Sequence, residues 1–261
     1  MNDMSAVRPG NTSRKSTISD EEWQVRVELA ACYRLVAMHG WSEIIYNHIS
    51  ARVPGTTDQF LVNPFGLMFE EIRASDLIKV GVDGNLIDDE DGWGINPAGF
   101  VIHGAVHEGR PDLHCVIHCH SIAGAAVSTH PEGLLPLTLE SLIFRHKIAY
   151  HDFEGITFDP GEKERMLAHM ADAEIMILRN HGTLACGKTI AAAFHHAFYL
   201  EKACQIQLAA LSQNVAPSLV PQPLVDKVVE QFKPGFGWEQ GRREFDALVR
   251  KLDRIDPSYR E

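Results

Sequence analysis

The chain has 261 residues, 45% hydrophobic and 23% charged, a globular composition that excludes a disordered, collagenous or low-complexity protein. Its 24 basic and 35 acidic residues give a formal charge of −11 at pH 7. That charge excludes nucleic-acid binding carried by a basic surface and argues against an anionic membrane partner.

In chain order, residues 1–18 read as a polar, mobile arm without the apolar core of a secretory signal. Ser19 with Glu22 forms a capping box for a helix over Asp20–Met38, stopped at His39-Gly40. Strands are predicted near Ile49–Val53, Gln59–Val62 and Leu77–Val82, with turns at Asn63-Pro64-Phe65-Gly66 and Val82-Asp83-Gly84-Asn85. Pro97 opens a helix reaching about Glu108. His114–His120 reads as a strand, Ser121–Thr129 as a small-residue helix and Glu162–Ala171 as another helix. Ile175–Leu178 and Gly182–Cys186 are short buried-type strands, and Thr189–Leu211 is a long helix. After the linker Pro217–Pro223, amphipathic helices are predicted near Leu224–Phe232 and Trp238–Asp253. This gives one α/β domain over 19–214 and a C-terminal helical extension over 215–261. No apolar run reaches the roughly 18–20 residues of a membrane span. The five cysteines are odd in number and irregularly spaced, as in a protein of a reducing cytoplasm.

The chemistry is sought among the histidines. His118 and His120 flank Cys119 in a strand-like run, so their side chains share one face while Cys119 turns to the other. The pair alone fits a metal site and a pair of hydrogen-bonded histidines alike. His181 follows a buried strand and precedes Gly182, a position equally open to a ligand and to a turn residue bonded to backbone. His103 and His107 lie i, i+4 on the Pro97 helix and share a face.

Taken together, His118-Cys119-His120, Asn180-His181-Gly182 and Tyr46-Asn47-His48-Ile49-Ser50 resemble the class II aldolase/adducin family. Phe60–Leu67, Asn96–Phe100 and Ala149–Asp152 resemble its adducin-like branch. The resemblance implies a three-layer α/β/α fold with a mainly antiparallel central sheet. It implies a homotetramer with active sites at subunit interfaces. It also implies a divalent metal, zinc first and iron(II) or manganese as alternatives, held by His118, His120 and His181. Such an ion with open positions stabilises the enolate of a breaking C–C bond. The implied activity is therefore a lyase acting by aldol cleavage or decarboxylation.

The sequence also departs from the family pattern. Gly99 stands where the sugar-phosphate lyases of the family carry a catalytic Glu, four residues before the match to His103. Of the phosphate-binding turns, Asn47 and Ser50 match the first, while Asn63 and Gly66 belong to a second without its hydroxyl residue. The expected substrate is accordingly a hydroxy or keto acid, bound by Asn47, Ser50, Asn63 and Gly66. Glu140, Tyr150 and His151 are the candidates for the missing acid or base. Two other readings stand beside the lyase: a non-catalytic adducin-head-like oligomeric module, and an iron(II) oxygenase on the same fold.

Overall fold

The structure is a computed structural model that describes residues 14–155, 160–232 and 240–261. Most of the predicted arm and Trp238 lie outside them. Eight strands form one sheet: β1 (His48–Arg52), β2 (Gln59–Val62), β3 (Ile78–Gly81), β4 (Leu86–Asp88), β5 (Cys115–Cys119), β6 (Ile148–His151), β7 (Ile175–Leu178) and β8 (Gly182–Gly187). Their spatial order is β4-β3-β2-β1-β5-β8-β7-β6. Every pairing is antiparallel except β6 with β7.

The helices are α1 (Asp20–Met38), α2 (Pro97–Gly109), α3 (Ile122–Ser128), α4 (Leu139–Leu142), α5 (Pro160–Met170), α6 (Ile190–Leu211), α7 (Gln222–Gln231) and α8 (Arg242–Ile255). The N-cap foreseen at Ser19 is made, and Ser121 and Thr189 cap their helices likewise: each accepts a hydrogen bond from a backbone N–H of the first turn. Helices cover both faces of the sheet. Val116, Met176 and Leu184 pack beneath α2 and α5 with Ile102, Val106 and Met166. Ile49, Ile117 and Ala185, on the other face, pack with Leu35, Phe194 and Phe245 of α1, α6 and α8. The predicted three-layer α/β/α fold with a mostly antiparallel sheet is therefore correct. The C-terminal extension is not peripheral, because Phe245, Leu252 and Tyr259 are buried in the main core.

Antiparallel register places the histidines. Residues directly opposite on neighbouring strands share a face. His48 of β1 is opposite His118 of β5, which is opposite Leu184 of β8. The histidine end of the sheet is thus the start of β1, the end of β5 and the start of β8.

Candidate metal centre

His118 and His120 project from the end of β5, and His181 from the turn between β7 and β8. That turn works because Asn180 takes the left-handed conformation, φ 56°, which Asn tolerates better than most residues. Gly182 is required there: a Cβ would lie 2.6 Å from the Cys119 carbonyl oxygen and 3.0 Å from the His120 ring. Without that close approach of β8 to β5, His181 could not reach the pair. Ring centroids of His181 lie 4.9 Å from His118 and 4.7 Å from His120. One nitrogen from each ring falls within 4.8 Å of the other two.

The outer nitrogens fix the tautomers. His118 Nδ1–H donates to the Thr183 carbonyl at 3.0 Å, and His120 Nδ1–H donates to the Glu43 carboxylate at 2.5 Å. In neutral imidazoles this leaves both Nε2 atoms as bare acceptors, and they face each other at 2.8 Å. Two lone pairs so close need a proton or a cation between them. Burial, with neighbouring imidazoles, holds the His118 pKa well below the usual histidine value, and burial beside His120 lowers His181 to about 4. The His118 and His181 rings are therefore neutral at pH 7, the form in which an imidazole nitrogen can bind a metal. Zinc–nitrogen bonds of about 2.0–2.1 Å place tetrahedral ligand nitrogens roughly 3.4 Å apart. The spacing seen here, from 2.8 Å to at most 4.8 Å, brackets that value. The donor set fits a three-imidazole metal site, with Thr183 and Glu43 orienting the ligands.

A second histidine group backs the first. The His48 ring stacks on His118, centroids 5.0 Å apart and 22° from parallel. His48 Nδ1 is 2.8 Å from His103 Nε2, and Ser50 Oγ lies 2.5 Å from His103 Nδ1 and 2.7 Å from His107 Nε2. All four residues are buried. Burial, joined by neighbouring imidazoles, holds His48 and His103 well below the usual histidine range; burial, then Arg52, brings His107 to about 3. The chain is therefore neutral, and its polarity follows from its far end. His107 Nδ1 is buried without a partner, and an orphaned acceptor is less costly there than an orphaned N–H. So His107 Nε2–H donates to Ser50, Ser50 O–H to His103 Nδ1, and His103 Nε2–H to His48 Nδ1. His48 then carries its proton on Nε2. That edge lines a small cleft with Asn63, Asn96 and Gly99. A Cβ at residue 99 would overlap the His48 imidazole, so an imidazole fills the space that a side chain at Gly99 would need.

The remaining predicted residues are placed as follows. Ser50 and Asn63 have partners inside the protein, Ser50 the two imidazoles and Asn63 the Tyr33 hydroxyl at 2.9 Å. Asn47 is buried with both amide atoms unpartnered among the described residues. Gly66, at φ 133°, lies against the Trp93 ring. Glu140 faces Lys202 at 3.4 Å. Tyr150 accepts from the Leu134 N–H and stacks under Arg179. His151 is bonded to His169, its Nε2 is 3.5 Å from Glu162, and it lines a small cavity together with His181. His151 thus shares a cavity wall with one of the three central histidines. His103 and His107 share the Ser50 hydroxyl. Cys119 is buried on the opposite face, its thiol pushed up to about 12 by burial. Sequence reasoning missed Glu43, 77 residues from its partner, and the role of His48, whose signal was its place in a strand opposite His118.

This geometry is that of a histidine-rich site at one end of an α/β/α sheet. The family model described as Class II Aldolase and Adducin N-terminal domain matches residues 27–208, and the chain belongs to that family. A Caulobacter vibrioides protein grouped with the class 2 aldolases is 50% identical over 250 residues, 95% of this chain and 96% of its own. Rat alpha-adducin is 39% identical across 88% of this chain but only 33% of its own length. The crystal structure of an aldolase II superfamily protein from Pseudomonas syringae superposes with a TM-score of 0.90 at 46% identity, over 95% of this chain and 99% of that one. An L-fuculose 1-phosphate aldolase from Glaciozyma antarctica gives 0.81 at 28% identity, over 98% of both chains.

Proposed function

We propose that the chain is a metal-dependent lyase that breaks a C–C bond of a keto or hydroxy acid. The observation that carries this reading is the pair of bare Nε2 atoms of His118 and His120, facing each other beside His181. These three residues would hold the ion, zinc first, with iron(II) or manganese as alternatives. Once bound, the cation would supply Lewis-acid stabilisation of an enolate.

The protein's own groups favour decarboxylation over aldol cleavage. Retro-aldol cleavage needs a base to take the substrate's hydroxyl proton. Here the expected carboxylate is absent at Gly99, and His48 presents an N–H in its place. A donor suits the oxygens of an anionic acid and the negative charge that grows as CO2 leaves. The bonding electrons stay on the substrate carbon, which then takes a proton from solvent. Asn96, on the same cleft wall, supplies a further polar contact for the substrate.

Exposed Ile44, Tyr46 and Ile122 lie close in sequence to Glu43, His48 and His120, and support a homotetramer with the site at a subunit interface. Five buried free thiols support a cytoplasmic setting. No helix among the described residues is long and apolar enough to cross a membrane.

Elemental analysis of untagged protein beside a His118→Ala/His181→Ala variant tests the centre; about one metal per chain, lost in the variant, is expected. Zinc- or manganese-loaded protein is then screened for CO2 release from α-keto and β-keto acids. Absence of metal after reconstitution with zinc, manganese and iron(II) overturns the lyase and leaves the non-catalytic oligomeric module, which the missing Glu and the adducin relatives favour. Iron with oxygen uptake would support the oxygenase. Light scattering at four chain masses would support the tetramer.

A further inference from the structure

Tyr33 of α1 is fully buried in the core on the face of the sheet opposite the imidazole chain. Its ring packs edge-on against Phe69, centroids 4.7 Å apart. Its hydroxyl reaches into the sheet itself, between β1 and β2.

Antiparallel register says which groups should meet at that point. β1 and β2 pair Arg52 with Phe60, Ala51 with Leu61 and Ser50 with Val62. Directly bonded pairs alternate along such a ladder. Val53 N–H donates to the Gln59 carbonyl at 3.0 Å, so the bonded series continues through Ala51 and Leu61 to Ile49 and Asn63. That next rung is not made directly: no backbone bond joins Ile49 and Asn63. Their two N–H groups donate to the Tyr33 hydroxyl instead, at 3.1 and 2.9 Å, and the hydroxyl donates to the Ile49 carbonyl. Asn63 Oδ1 shares that proton at 2.9 Å. A hydroxyl offers one proton and two lone pairs, and here all of them serve the interrupted rung. Burial pushes the Tyr33 pKa well above the ordinary tyrosine value, so the proton stays in place. Pro64 follows without an N–H, and the ladder does not resume.

The neighbours of this rung line the cleft. His48 and Val62 adjoin Ile49 and Asn63 in sequence and turn to the other face of the sheet, where they form its walls with Asn96 and Gly99. A rung spanned by an inserted oxygen is longer than a direct N–H···O=C bond. The separation of β1 from β2 at the cleft is therefore set by one atom carried on α1.

We propose that Tyr33 is a positioning residue for the substrate: its hydroxyl stands in for the last β1–β2 rung and holds His48 and Val62 at the separation that lets a small keto acid reach the His48 N–H. The identity of the substrate rests on the lyase reading; the spacing of the strands does not.

The test compares the wild type with Tyr33→Phe, which keeps the ring on Phe69 and removes the oxygen alone. The crystal structure of the variant should show Ile49 and Asn63 bonded directly, with β1 and β2 closer and the cleft narrower. Zinc should remain at about one per chain. Pyruvate, titrated against the zinc-loaded proteins by ligand-detected NMR, should bind the variant about tenfold more weakly. In the wild type the Ile49 and Asn63 amides should exchange slowly, a measurement that needs no variant to fold. The proposal is overturned if a water takes the place of the hydroxyl with the strand spacing kept. It is overturned equally if pyruvate binds both proteins alike, or if the two wild-type amides exchange as freely as in an unfolded chain. Failure of pyruvate to bind either protein counts against the lyase reading, and the variant's structure and the amides still decide the role of Tyr33.

Discussion

At the scale of single residues, the site is built on imidazoles held neutral, which makes it sensitive to pH in a stated direction. His107 has a folded pKa of about 3 against an ordinary 6.5. Between these values the unfolded chain binds a proton that the folded chain refuses, so stability is complete above about 6.5 and falls as pH drops. From about pH 7.5 to about pH 5.5 this residue alone costs about 1.4 kcal/mol. Urea unfolding at several pH values should show that slope. His107→Gln, which keeps a donor for Ser50, should remove about one proton from it.

Gly99 gives a second residue-scale prediction. Gly99→Ala pushes the new methyl into the His48 ring and should cost about 1–3 kcal/mol. With His48→Ala the same change should cost much less, so a double-mutant cycle must show coupling; additive costs would mean that His48 does not occupy this space. The same-face relation of His118 and His120 was legible from i, i+2 spacing alone. The Glu43 contact was not, because nothing local ties a loop carboxylate to a histidine 77 residues away.

At the scale of elements, β1 organises the functional side of the molecule. His48, Ser50 and Arg52 point to one face and serve in turn the metal centre, the imidazole chain and the C-terminal end of α2, where Arg52 donates to the His107 carbonyl at 2.6 Å. Most long helices and apolar strands were readable to within a residue or two, because caps and periodicity mark them; α8 starts at Arg242, four residues after its predicted start, with Gly241 at φ 75° as its N-cap. Strand β6 was not read, since Ile148–His151 is an edge strand of mixed polarity whose parallel partner lies beyond α5. Strand β4 was implied only by its turn; Leu86 and Ile87 are exposed, so no alternation of burial announces it.

What holds β4 is charge. Asp88 accepts from Arg14 at 2.9 Å and from Arg26 at 3.1 Å, and Arg26 also meets Glu22 at 3.0 Å. Both guanidiniums are buried. Asp88→Ala removes a shared counter-charge and should cost about 3–5 kcal/mol, little relieved by salt because the partners are out of solvent. Denaturation at low and high salt checks this; a loss below about 1 kcal/mol would place the pair in the class of surface bridges.

At the scale of the whole molecule, the C-terminal extension decides how the domain should be cut. Its amphipathic character was legible, but its destination was not, because an apolar stripe does not name the surface that covers it. In the structure, α8 lies against α1 and α6: Phe245 meets the Phe194 ring edge-on at 5.7 Å, and Tyr259 and Leu252 are buried in the same core. Arg34 of α1 pairs with Asp256 at 3.0 Å, and the Glu261 carbonyl accepts the Ser75 N–H at 2.9 Å. The extension therefore seals the face of the sheet opposite the imidazole chain. The neutrality of the buried histidines depends on the whole core staying closed. Phe245→Ala should lower stability by about 3–5 kcal/mol. Because α8 and the sheet share one core, the loss should appear in a single unfolding transition seen alike by far-ultraviolet circular dichroism and by exchange of the β5 and β8 amides. If the β5 and β8 amides kept their protection while α8 exchanged freely, the extension would be a separate unit and the domain would end at its start.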